Sequence, residues 1–186
     1  MVKTASSMLP LGTRAPDFQL FDPSTKQIMG LNSLTGNVAT VIMFICNHCP
    51  YVIHVAPELA RLANEYMEKG VSFVGINSND AQSYPEDSPE KMVTEVKNRG
   101  YSFPYLYDET QVTAKAYHAE CTPDFFVFDK QLKCAYRGQL DDSRPGNQIA
   151  LNGQDLRAAL DCLIRGVEVD PDQKPSVGCN IKWKKS

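Results

Sequence analysis

No stretch of this 186-residue chain approaches the ~18 consecutive apolar residues that a membrane-crossing helix needs, so no membrane association is expected. Met1 to Leu20 lacks the apolar segment of ~7–15 residues and the small-residue cleavage site of a secretory signal, and the expected location is the reducing cytoplasm. A broad basic field is missing too. Lys and Arg number 19 against 22 Asp and Glu, giving a formal net charge of −3 and a pI near 5.6, which argues against nucleic acid as a partner. There is no internal repeat and no low-complexity segment. The single tryptophan, Trp183, lies in a short basic end with Lys182, Lys184 and Lys185, which reads as a solvated tail. What the chain does have is six cysteines. At this length one domain buries on the order of 70% of its extended-chain surface, so a core needs no disulfide staple. In a reducing compartment such cysteines point to chemistry, metal ligation or packing.

Two of them stand out. Val38 to Ile45 is apolar at nearly every position and rich in β-branched residues, as in a strand covered on both faces. It breaks into Cys46-Asn47-His48-Cys49-Pro50-Tyr51. Beyond that, Val52, Val55, Ala56, Leu59, Leu62, Ala63 and Tyr66 recur at helical spacing up to Lys69, opposite a polar face of His54, Glu58, Arg61 and Glu65. Two thiols separated by two residues suit disulfide exchange or metal ligation, and the strand-to-helix setting favours redox. The amides of a helix's first turn stabilise thiolate, and on this reading Cys46 is the more acidic thiol.

Either side of this centre the chain alternates strands and helices. Residues 1–13 are polar and read as loosely held. Ala15 to Leu20 and Gln27 to Met29 read as an amino-terminal hairpin, and Val71 to Ile76 as a second buried strand. A Ser/Asn/Asp/Pro-rich loop spans 77–88. Ser88 then caps a helix with Pro89 at its first position, running to about Gly100. Tyr105 to Tyr107 is a short strand, and Thr110 to Ala119 a short helix with His118 near its end. Phe125 to Phe128 and Lys133 to Leu140 form an antiparallel pair, and Leu156 to Leu163 patterns a last helix ending at Gly166. The order implies an α/β fold: a central mixed sheet with a parallel centre, flanked by helices, as one domain over 1–166 with a tail over 167–186. Ligand chemistry in such sheets sits where strands end and helices begin.

The chain resembles the thioredoxin-like redoxins, the group holding thioredoxin, the thiol reductases of cytochrome maturation and the alkyl hydroperoxide reductase/thiol-specific antioxidant peroxiredoxins. The carriers are Ala15-Pro16-Asp17-Phe18-Gln19-Leu20, the strand into Cys46-Asn47-His48-Cys49, Pro57 in the following helix, and Thr122-Pro123 before an apolar strand. The resemblance implies a thioredoxin-like fold with an added amino-terminal hairpin and carboxy-terminal tail, and a cis Pro123 facing the dithiol. It also implies that His48 tunes the attacking thiolate. Such histidine-containing centres are more oxidising than thioredoxin, roughly −180 to −120 mV against about −270 mV. The peroxiredoxin signature Pro-x-x-x-Thr/Ser-x-x-Cys is not met. Set on Cys49, it finds Cys46 for the hydroxyl and Ile42 for the proline; set on Cys46, it finds Met43 and Ala39. The spacing from Cys49 to Pro57 leaves open which cysteine holds the family's first position.

The expected reaction is thiol–disulfide exchange. Cys46 attacks a substrate disulfide and Cys49 resolves it, while the Thr122-Pro123 backbone holds an extended substrate strand beside the sulfurs. The partners are a disulfide-containing protein or small thiol and a separate reducing system, with no cofactor beyond the redox-active disulfide. Cys121 and Cys179 are candidate auxiliary thiols, whereas Cys134 and Cys162 read as packing. One alternative is a thiol-dependent peroxidase with a non-standard site. Another is a metal module in which Cys46, Cys49, Cys121 and His48 hold zinc or copper. His54 reads as a solvated partner of Glu58, and His118 as compensation for a helix dipole.

Overall fold

The computed structural model describes residues 3–185. Strands β1 (Lys3–Ala5), β2 (Gln19–Asp22), β3 (Gln27–Gly30) and β4 (Ala39–Phe44) lead to helix α1 (Pro50–Met67). Then come β5 (Val71–Asn77), α2 (Pro89–Arg99), β6 (Tyr105–Tyr107), α3 (Val112–Ala116), β7 (Cys121–Thr122), β8 (Asp124–Asp129), β9 (Cys134–Gly138), α4 (Gln154–Arg165) and β10 (Val177–Asn180). Seven strands form one sheet in the order β3-β2-β6-β5-β4-β8-β9. β4, β5 and β6 are parallel, and the strands outside them pair antiparallel, as the thioredoxin-like reading requires.

Alternation along β4 divides the core. Ala39, Val41 and Met43 face α1 and α4, with Phe73, Phe125, Val127, Leu59 and Leu160. Ile42 and Phe44 face the opposite layer, with Val74, Ile76, Phe126, Phe128 and Tyr117. All six β4 residues are buried, and each large apolar side chain so covered contributes ~1.5–3 kcal/mol. The α2 start matches its sequence signals, Ser88 Oγ accepting from Lys91 N at 3.4 Å with Pro89 in the first turn.

Four segments differ from expectation. The first strand of the hairpin, β2, starts four residues later than read, at Gln19, because Pro16 has no amide to donate and Asp17 turns its carboxylate onto Phe18 N (2.9 Å). Glu58 and His54 do not form a solvated pair. Glu58 is buried under Arg61 and Arg157, the latter reaching across from α4, and His54 Nε2 lies 2.8 Å from Ser143 Oγ. The helix read over Thr110 to Ala119 shrinks to α3, bounded by Gln111 and His118 at positive φ (63° and 55°) and capped by Asp108, which accepts from Ala114 N at 2.9 Å. His118 is exposed beyond that helix.

Most consequential is a second sheet, β1-β10-β7, in which the two ends of the chain pair. Residues 3–13 are not loose: Ser6 N donates to Ser176 O at 2.9 Å and Leu9 is buried. The added tail is packed as well, with Cys179, Ile181 and Lys182 buried. Segments of three or four residues hold too little periodicity to announce themselves. Their ladders are closed by distant partners, Lys3 opposite Cys179 and Cys179 opposite Thr122.

Candidate active site

Beyond β4, Ile45 still pairs through its N–H to Ile76 O (3.0 Å), and the chain leaves the sheet at Cys46. Pro50 opens α1, because its missing amide costs nothing in a first turn and its φ is preset for helix. That start position makes Cys49, not Cys46, the N-cap. The expectation that Cys46 is the acidic thiol is therefore reversed: the first-turn amides serve whichever sulfur stands at the helix start.

The thiols converge on the residue before the cis proline. The Thr122-Pro123 bond is cis. Cys46 Sγ lies 3.2 Å from Thr122 Oγ1, and Cys49 Sγ lies 3.2 Å from Thr122 O, which it reaches as a thiol. Donation from the Cys46 thiol pulls Cys49 well below the usual thiol range against its own burial, with Cys179, the Val52 amide and Thr122 adding to the effect. Burial pushes Cys46 up, and its bond to Cys49 and the nearby Asp87 charge push it further. The two shifts run in opposite directions, Cys49 down and Cys46 up. Both sulfurs are covered, with Cys46 2% and Cys49 0% exposed.

The loop 77–88 supports this turn. Asp87, fully buried, accepts from Asn47 N (2.8 Å) and Asn79 Nδ2 (2.7 Å). His48 Nδ1 lies 2.7 Å from Asp87 Oδ2, an ion-pair contact too bent for a well-formed hydrogen bond. Burial alone would raise the Asp87 carboxyl, but His48, Asn79 and the Asn47 amide together hold it below its ordinary value. Asp87 in turn raises His48, whose ring stacks on Tyr84 at 5.7 Å. His48 is thus seated on a carboxylate. Tyr105 completes the cradle by donating to Asn47 Oδ1 at 2.9 Å. Nothing in a Ser/Asn/Asp/Pro-rich loop marks Asp87 as different from its neighbours. The signal that could have found it is the need of a half-buried His48 for an acidic partner.

The basic end does not form a solvated tail throughout. Lys182 N donates to Asn79 Oδ1 (2.8 Å) and Lys182 O accepts from Asp80 N (2.9 Å), so the chain's end clamps the loop that carries Asp87.

Of the auxiliary cysteines, Cys179 lies with the dithiol, in the same core cluster as Cys46 and Cys49 and opposite Thr122 in the sheet. Cys121 does not: its Sγ turns to Pro123 O at 3.8 Å, and burial pushes it far above the thiol range. The proposed metal set of Cys46, Cys49, Cys121 and His48 is accordingly not assembled. Among the described residues, the group whose donor atoms lie within 4.8 Å of one another is Cys46, His48 and Asp87, and there the Asp87 oxygens already accept from protein donors. A cleft with about 10 Å³ of free volume, lined by Tyr51, His54, Pro123, Phe125, Arg144 and Val177, opens beside Pro123. That is room for about one water.

A model of the redoxin family matches residues 10–153. No curated protein matches the chain. An uncharacterised conserved protein of Geobacillus kaustophilus is 60% identical, with TM-score 0.98 over 100% of this chain and 98% of that one. A hypothetical protein of Sinorhizobium meliloti is 46% identical, with TM-score 0.96 over 98% and 100%. A secreted Mycobacterium tuberculosis disulfide oxidoreductase homologous to E. coli DsbE shares the fold at 19% identity, with TM-score 0.60 over 78% of this chain and 95% of that one. The chain belongs to the redoxin family, and its general function is thiol redox chemistry, that of an oxidoreductase.

Proposed function

We propose that this redoxin is a thiol–disulfide oxidoreductase in which Cys49 attacks and Cys46 resolves. The observation that carries this reading is the position of Cys49: N-cap of α1, its sulfur 3.2 Å from Thr122 O, with Cys46 pulling its pKa below the usual thiol range. The Cys49 thiolate attacks one sulfur of a substrate disulfide and expels the other as a thiolate. Cys46 then attacks Cys49 sulfur, passes its proton to the departing thiolate, and closes the Cys46–Cys49 disulfide. Two electrons have moved from the dithiol to the substrate. A separate thiol reducing system returns them, and no cofactor takes part.

Thr122 is the backbone contact for the substrate, and His48, held by Asp87, sets the field around the dithiol. The partner is a protein or small-molecule disulfide, and the setting is the reducing cytoplasm. The peroxidase reading is weaker, because neither alignment of its signature supplies the hydroxyl that polarises a peroxide.

The test is to incubate reduced, chelator-washed protein with oxidised glutathione in one tube and hydrogen peroxide in another, alkylating at short times and mapping the thiols. Cys49 is expected to react first with glutathione and then to close on Cys46, with slow reaction in peroxide. Faster reaction with peroxide, leaving a sulfenic acid on Cys49, would make the enzyme a peroxidase. The iodoacetamide rate at Cys49 should already be near its plateau at neutral pH, whereas a thiol of ordinary acidity would still be rising toward ~8.5.

A further inference from the structure

The outer edge of β7 is the edge on which the exchange reaction would seat a substrate strand, and the chain's own β10 already lies there. It pairs antiparallel, with Cys179 opposite Thr122 and Asn180 opposite Cys121. The fit depends on Gly178. A Cβ at that position would stand 2.0 Å from Thr122 O and 3.2 Å from Pro123 N, so any side chain would push the strand off the cis-proline backbone. In this register Cys179 faces the same core cluster as Cys46 and Cys49. It is 4% exposed, and burial, with Cys49 near enough to add to the effect, pushes its thiol pKa up. A strand paired beside a cis proline, with its sulfur against the attacking sulfur, is the arrangement a bound substrate would adopt.

We propose that β10 is an internal stand-in for a substrate strand and that Cys179 is a third redox thiol, able to close a disulfide with Cys49 in competition with Cys46. The inference rests on Cys49 as the attacking thiolate. Once Cys49 has taken up half of a small disulfide such as oxidised glutathione, Cys179 attacks the Cys49 sulfur. The Cys49–Cys179 bond forms and the Cys49–glutathione bond breaks. The departing glutathione thiolate takes the Cys179 proton. One glutathione disulfide has then become two glutathione thiols, and the protein pair has lost two electrons. With β10 in place the β7 edge is closed to an extended polypeptide, so a small disulfide is the substrate class that asks the least opening around the covered Cys49.

The experiment uses full-length Cys46→Ser with about one equivalent of oxidised glutathione under anaerobic conditions, acid-quenched and mapped by peptide mass. A glutathione adduct on Cys49 should form and decay into a Cys49–Cys179 disulfide with release of a second glutathione. Decay should be at least about tenfold faster than in Cys46→Ser/Cys179→Ser, because a thiol held in place acts at high effective concentration. Cys46→Ala, which removes the donor to Cys49, should form the adduct more slowly, but that adduct should decay into the same Cys49–Cys179 disulfide. Adding Gly178→Val should restore a persistent adduct. An adduct on Cys49 that persists in both Cys46 variants while Cys179 stays alkylatable overturns this inference and leaves Cys49 as the attacking thiol. Equally fast closure in the Gly178→Val background overturns the role of the strand. No adduct on Cys49 at all overturns both readings.

Discussion

The dithiol turn and the terminal sheet meet at Thr122, yet they are built in opposite ways. The turn is local: residues 39–57 supply a buried strand, two thiols, a proline at the helix start and an amphipathic helix, all within one strand-helix unit. The sheet formed by β1, β10 and β7 is almost wholly long-range, with Lys3 opposite Cys179 and Cys179 opposite Thr122. The first sets which sulfur is reactive. The second decides what can approach it, since Cys49 is covered and its neighbour across the edge is the chain's own strand. A dithiol of local origin thus lies against strands whose pairing no local pattern predicts.

Cys49→Ser should break the comparison on the side of the turn most completely. Glutathione-disulfide turnover should fall to background, whereas Cys46→Ser should keep the first half-reaction, read as a first glutathione released as the Cys49 adduct forms, before closure on Cys179 releases the second. Next is Asp87→Ala, which leaves the Asn47 amide, Asn79 Nδ2 and His48 without their acceptor. The expected cost is about 3 kcal/mol in denaturant unfolding, in keeping with loss of a buried, hydrogen-bonded charge. His48 should titrate lower in the variant by NMR, since Asp87 is what raises it.

On the side of the terminal sheet, Asp124 is a buried acid that accepts from Ser6 Oγ at 3.0 Å, and burial pushes its carboxyl up to about 7. A folded-state value above the unfolded ~3.9 means that this group's stabilising contribution is whole below pH ~4 and is lost as pH rises through about 7. Asp124→Asn should therefore flatten the fall in stability between pH 4 and 8, read from urea midpoints across that range; an unchanged slope would remove Asp124 from the pH response. The smallest effect expected is in a locally coded element far from the sheet. Ser88→Ala removes the α2 cap and should cost ~1 kcal/mol without altering the pH profile of Cys49 alkylation.

Much of the fold was legible because its signals are periodic or chemical. The β-branched run into Cys46, the i, i+3, i+4 pattern after Pro50, the Ser88-Pro89 cap and the Thr122-Pro123 pair each report a single element through residues close in sequence. The acidic thiol is read as Cys46 although the helix pattern already begins at Pro50; the residue at that start, which the first-turn amides face, is Cys49. Asp87 and Cys179 belong to another class. One stands in a loop of similar polar residues and the other in a four-residue strand. Their roles arise from partners 40 and 57 residues away in sequence, Asn47 and Thr122. Glu58 was placed on a solvated face because helical periodicity cannot see that Arg157 of α4 covers it.

The sequence by itself determined the α/β class, the redoxin centre and the strand-helix junction that carries it, because hydrophobic periodicity and proline placement act over a few residues and need no partner. Only the tertiary structure decided that Thr122 stands against both sulfurs, that Asp87 seats His48, and that β10 fills the edge beside Pro123. Burial, hydrogen-bond donation and strand pairing are properties of atoms brought together by the fold, and their energies do not exist until distant segments meet.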